Sequence, residues 1–109
     1  MATPTLYLIL LTYTRPAEEI TAALEEHRAY LRRAYDAGRF LVSGPRVPAS
    51  GGVVLARAGS LEEARGYVRD DPFHQRGLAT HEIIPFAALW ADPRMAALLE
   101  ASGEERPDR

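Results

Sequence analysis

The chain has 109 residues, 47% of them hydrophobic and 26% charged, the composition of one globular domain and not of a disordered segment. Thirteen basic residues stand against fifteen acidic ones, a net charge of −2, so the basic excess that binding to a phosphate backbone requires is missing. Cysteine is absent and every basic residue is arginine, which excludes disulfides, thiolate metal sites, cysteine nucleophiles, lysine Schiff bases and the lysine of a P-loop.

Residues Thr5 to Thr12 (TLYLILLT) form a continuous apolar run of strand length, the pattern of a strand with both faces against apolar surroundings. It is too short for a membrane span, and as a signal peptide it lacks a preceding basic residue. A soluble cytoplasmic protein is the expectation. Thr14-Arg15-Pro16 ends the strand, and Pro16 is placed to open a helix whose first turn carries Glu18 and Glu19. Ile20, Leu24, His27, Leu31 and Ala34 follow helical spacing, and Gly38 stands where a left-handed terminator belongs.

A short strand is predicted over Phe40–Ser43 and another over Val53–Ala56, joined by a connection short enough for a hairpin. Ser60-Leu61-Glu62-Glu63 has the form of a capping box, and it predicts a second helix with Leu61, Ala64 and Val68 inward. Asp70-Asp71-Pro72-Phe73 stops that helix, since a residue before proline resists helical geometry. His81–Phe86 reads as a fourth strand. Residues 1–90 are thus expected to form the domain. Residues 91–109 form an extension, with a short helix from Asp92-Pro93 to Leu99 and a disordered polar tail over Ser102–Arg109.

The order strand–helix–strand–strand–helix–strand is the ferredoxin-like α+β arrangement, a four-stranded antiparallel sheet with two helices on one face. Two helices leave the other face bare, while the first and third strands are apolar on both sides. A homodimer with sheets packed face to face is the economical solution.

His27 falls at the centre of the helix's inward stripe. It is either a core histidine satisfied by a backbone carbonyl or a tyrosine hydroxyl, or a general acid or base at the wall of a cleft. Asp71 either caps a turn begun by Pro72 or holds one imidazole nitrogen of His27 and fixes its tautomer. His74 and His81 lie in no metal-binding frame, so neither metal nor cofactor is expected. Ser43, beside Gly44-Pro45, suits ligand binding better than nucleophilic attack. Arg46 either grips a carboxylate or is an ordinary loop arginine.

His27 with Tyr30-Leu31, Gly38-Arg39-Phe40-Leu41, Ser43-Gly44-Pro45, Gly51-Gly52-Val53, Ser60–Ala64 and Asp71-Pro72-Phe73, taken in order, resembles the YCII-related family over roughly residues 5–86. The resemblance implies a dimeric α+β barrel and names the positions of His27 and Asp71 as an active-site pair. Phe73 belongs to the same motif and is assigned with Ser43 and Arg46 to substrate binding. Many members carry Arg-Pro-Ala before the histidine, where this chain has Leu24-Glu25-Glu26; Arg46 is the candidate replacement for that arginine.

The side-chain inventory favours a small cofactor-free enzyme that moves a proton on a small anionic or aromatic substrate, in an isomerase- or lyase-like step. The alternative is a non-catalytic dimeric module that binds a small ligand or a partner protein. Neither reading involves nucleic acid or membrane.

Overall fold

A computed structural model describes residues 3–104 of the chain, with side-chain surroundings through residue 100. The elements in order are β1 (Thr5–Tyr13), α1 (Ala17–Ala22), α2 (Leu24–Asp36), β2 (Phe40–Pro45), β3 (Gly51–Arg57), α3 (Leu61–Asp70), α4 (Pro72–Gln75), β4 (Ala79–Ala87) and α5 (Pro93–Glu104). The four strands form one antiparallel sheet in the order β2-β3-β1-β4, which is the ferredoxin-like topology expected from the element order.

Tyr7, Ile9 and Leu11 on one side of β1 join Val54 and Ala56 of β3 in a core completed by Ile20, Ala23, Tyr30, Ala34, Ala64, Tyr67 and Phe73 from the helices. Alternation sends Leu8, Leu10, Val53, Leu55, Ile84 and Phe86 to the opposite face. There Phe86 and Ile84 remain 41% and 37% exposed, and Val42 57%. Among the described residues, α5 meets this face at the end where the Arg57 guanidinium donates to the carbonyl of Leu99 at 3.5 Å and Leu6 is buried.

Several local features depart from the sequence expectation, among them a short helix, α4, directly after the stop at Pro72. The first helix is two helices, broken at Ala23 (φ −100°, ψ 2°), although residues 17–36 contain neither glycine nor proline. Ala23 is fully buried, and its N–H bonds Ile20 O at 3.1 Å, a tightened i→i−3 turn that seats it against the core. The strands run longer than their apolar runs, because ladder pairing carries on through Thr80 and through Pro45. The last helix extends to Glu104, through residues 102–104, which the sequence pattern assigns to the polar tail; residues 105–109 of that tail lie outside the described residues.

The remaining terminators act as read. Gly38 takes φ 75°, open to glycine without a Cβ penalty. Ser60 caps α3, its side chain accepting from the Glu63 N–H at 3.1 Å. The reciprocal half of a capping box is altered: the Glu63 carboxylate accepts from Gly59 N and not from Ser60 N.

Candidate active site

His27 lies one turn into α2, on the side that faces the sheet. Its imidazole is stacked on the ring of Phe73, with centroids 4.1 Å apart and planes 1° from parallel. Phe73 is 1% exposed and stands at the start of α4, so a rigid apolar wall sets the plane of the imidazole. The Nδ1–H of His27 donates to Asp71 Oδ1 at 3.0 Å. The partner of the histidine is thus a carboxylate, in place of the backbone carbonyl or tyrosine hydroxyl that a core histidine would have used.

Asp71 answers to both sequence readings together. It follows α3, and Pro72 prevents that helix from continuing. Asp71 is also the N-cap of α4, its Oδ1 accepting from the Phe73 N–H at 2.9 Å. Its other oxygen, Oδ2, accepts from the Nε2–H of His81 at 3.1 Å. Only 3% of the residue is exposed. Burial by itself pushes the carboxyl up, but the hydrogen bonds from His27 and His81, the electrostatic attraction of the His27 ring and the Phe73 N–H outweigh it and hold the group at about 2, below its ordinary 3.8. Asp71 is therefore an anion near neutral pH. Its field reaches two tyrosines: Tyr30 is pushed above its ordinary value by burial first and Asp71 second, and Tyr13 likewise.

A cavity of about 340 Å³ opens beside His27. Tyr13, Leu24, Leu31, Val54 and Phe73 make it largely apolar, and Ser43 and Arg28 supply polar groups at its wall. Ser43 is brought there by a register shift between Phe40 and Val42. In an uninterrupted strand, residues two apart share a face, so Val42 would join Phe40 inside and Ser43 would point away. The shift instead turns Val42 outward opposite Leu55 and sets Ser43 opposite Val54. The Ser43 Oγ shares a hydrogen bond of 2.7 Å with the Tyr35 hydroxyl.

Four of the five residues singled out from the sequence thus come together: His27, Ser43 and Phe73 line the cavity, with Asp71 behind the imidazole. Arg46 does not line it. It is exposed and donates to Thr12 Oγ1 at 3.2 Å, and Thr12 follows Leu8 and Leu10 on the outer face of the sheet. The arginine at the cavity is Arg28, next in sequence to His27; by helical spacing it belongs with Glu25 and Glu26 to the solvated flank of the helix, and it is indeed exposed and paired with Glu25 at 3.6 Å while its side chain also borders the cavity. His81 was missed as a site residue. The signal for it was weak but present, since a histidine two residues from Ile83 shares that strand's inward face. Among the described residues, no group of three or more histidine or carboxylate side chains is arranged to hold a metal ion.

The sheet order, the helices on one face and the inward imidazole–carboxylate pair define an α+β protein of ferredoxin-like fold with a candidate site between α2 and the sheet. The YCII-related domain model matches residues 5–87, and the chain belongs to that family. Among solved structures, the chain is similar to 5-chloro-2-hydroxyhydroquinone dehydrochlorinase from Burkholderia phenoliruptrix AC1100, in complex with 2,5-dihydroxybenzoquinone. The TM-score is 0.62 at 24% identity, over 83% of this chain and 97% of that one, a likeness of fold. No curated protein matches the sequence. Among the described residues, no helix is long and apolar enough to cross a membrane.

Proposed function

We propose that the protein is a small enzyme that transfers a proton on a small aromatic or anionic substrate held in the cavity beside His27. The contact of His27 Nδ1 with Asp71 Oδ1 at 3.0 Å carries this reading. With Nδ1–H committed to a carboxylate, Nε2 is the nitrogen left to take up a proton and return it. Asp71 keeps the ring in that tautomer and offsets the positive charge the ring acquires. The substrate's proton would come from an O–H or an acidic C–H. Returning it to another atom completes an isomerisation; retaining it while an anion departs completes an elimination.

The cavity suits a ring-sized molecule, being near the small end of the roughly 300–1,000 Å³ range of ligand sites. Its apolar lining accepts a ring face, Arg28 offers a positive charge to an acidic group, and the hydroxyl of Ser43 offers a hydrogen bond. The dehydrochlorinase of similar fold, bound to a dihydroxybenzoquinone, supports a ligand of this class. We place this work in the cytoplasm, where a cysteine-free chain needs no disulfides, and in a homodimer that buries the outer sheet face.

The test uses 2,5-dihydroxybenzoquinone as the binding probe and chlorinated hydroxyquinols and unsaturated lactones as substrates. The probe is expected to shift the imidazole signals of His27, and His27→Asn is expected to retain the fold while turnover disappears. Turnover that survives in His27→Asn overturns the reading. Binding of the probe with no turnover of any of these compounds favours the non-catalytic ligand-binding module instead.

A further inference from the structure

The second oxygen of Asp71 carries a constraint that a simple histidine–carboxylate pair lacks. The torsion that turns a carboxylate about its Cβ–Cγ bond is broad and roughly two-fold, so contacts at one oxygen leave the plane of the group loosely defined. Both the His27 ring and the Phe73 N–H bond Oδ1. Oδ2 is held from the opposite side, by His81 Nε2 at 3.1 Å. The His81 side chain is itself 3% exposed. Its strand is fixed by the ladder to β1, in which His81 stands opposite Leu11, a residue of the cavity wall.

The His81 ring also has a feature that packing alone does not explain. A carboxylate only accepts, so the contact with Asp71 puts a proton on Nε2. The other nitrogen, Nδ1, is then buried without a hydrogen-bond partner. An unpaired buried polar atom is costly, and an aliphatic residue on β4 would avoid it. A histidine here is accounted for by what its Nε2–H does.

We infer that His81 is a positioning residue, which locks the Asp71 carboxylate from its far oxygen and thereby holds His27 in the Nδ1–H tautomer with Nε2 free toward the cavity. This deepens the reading of His27 as the proton-transfer group and rests on it. His81 touches no substrate; it acts through Asp71, in the manner of the outer partners that fix the orientation of a working side chain. The chain of contacts runs from the cavity through His27 and Asp71 to His81, whose ring meets the edge of His74 at 5.6 Å.

The experiment is ¹⁵N NMR of the histidine side chains in the unliganded full-length protein, where the two ring-nitrogen shifts report the tautomer of His27 directly. Wild type is expected to show His27 in the Nδ1–H form. In His81→Leu the Nε2–H form is expected to rise to a comparable population, and in His81→Gln, whose amide N–H retains a donor toward Oδ2, the Nδ1–H form is expected to persist. An unchanged His27 tautomer in a folded His81→Leu overturns the inference, as does an Nε2–H tautomer in wild type. Should the leucine variant not fold, His81→Asn carries the test, since it remains polar but is too short to reach Oδ2; an unchanged tautomer there overturns the inference equally. No ligand is present in this measurement, so its failure is separate from a failure to bind 2,5-dihydroxybenzoquinone or to turn over a substrate.

Discussion

Asp71 accepts three hydrogen bonds on two oxygens, and the consequence can be read in acid. Its carboxyl is held at about 2 in the folded protein against an ordinary 3.8. A group depressed on folding contributes stability that is complete above its unfolded value and is lost as pH falls through the folded one. That contribution is on the order of 2 kcal/mol, present above about pH 4 and fading toward pH 2. Asp71→Asn is therefore expected to lower stability clearly at neutral pH and by much less at pH 2, as measured by urea unfolding at both. An equal loss at both pH values would show that the carboxylate's charge is not what the three donors stabilise. The sequence announced two of these donors. Proline after Asp71 made a cap at Phe73 legible, and helical spacing turned His27 inward. The third, His81, lies ten residues further along on a different element, and only the β1–β4 register brings it to Oδ2.

At the scale of the element, β1 and β3 approach so closely at their paired ends that a side chain cannot stand between them. A Cβ added to Gly51 would lie 1.8 Å from the carbonyl oxygen of Leu11, whereas one added to Gly44 would meet nothing within 4 Å. Gly51→Ala is expected to cost about 2 kcal/mol or more, since backbone must move, and Gly44→Ala about 0.5 kcal/mol or less. Thermal unfolding of the two variants side by side checks the contrast. Ser60→Ala, which removes the cap at Glu63 N–H, is expected to cost about 1 kcal/mol. The irregularity between Phe40 and Val42 matters more for function than any of these. It exchanges the faces of Val42 and Ser43 and so decides which of them the cavity receives.

For the whole molecule, the outer sheet face is the dominant unbalanced feature. Leu8, Leu10, Val53 and Leu55 are only half-buried on it, flanked by the exposed Val42, Ile84 and Phe86. A sheet needs a cover on each apolar face, and among the described residues α5 meets this one at its Arg57 end. The proposed homodimer predicts a mass twice that of the chain by light scattering at micromolar concentration. Leu10→Glu, placing a charge at the middle of that face, is expected to halve the mass; a monomeric wild type would remove the dimer from the proposal. Arg46, which reaches Thr12 on this same side, is then better placed to meet a second subunit than a molecule in the cavity.

Periodicity and punctuation are local properties, and what they encode was available from the sequence by itself. The order of elements, the four-stranded antiparallel class, the inward aspect of His27 and the stop at Pro72 all follow from residues no more than a few positions apart. The tertiary structure decided everything that depends on register between distant segments: the meeting of His27 with Asp71 across 44 residues, the return of His81 to the same carboxylate, the entry of Ser43 into the cavity and the exclusion of Arg46 from it. The physical reason is that a strand or helix pattern states which face a residue occupies but not what lies opposite. A one-residue shift of register, as at Phe40–Val42, reverses the face without leaving a mark in the local sequence.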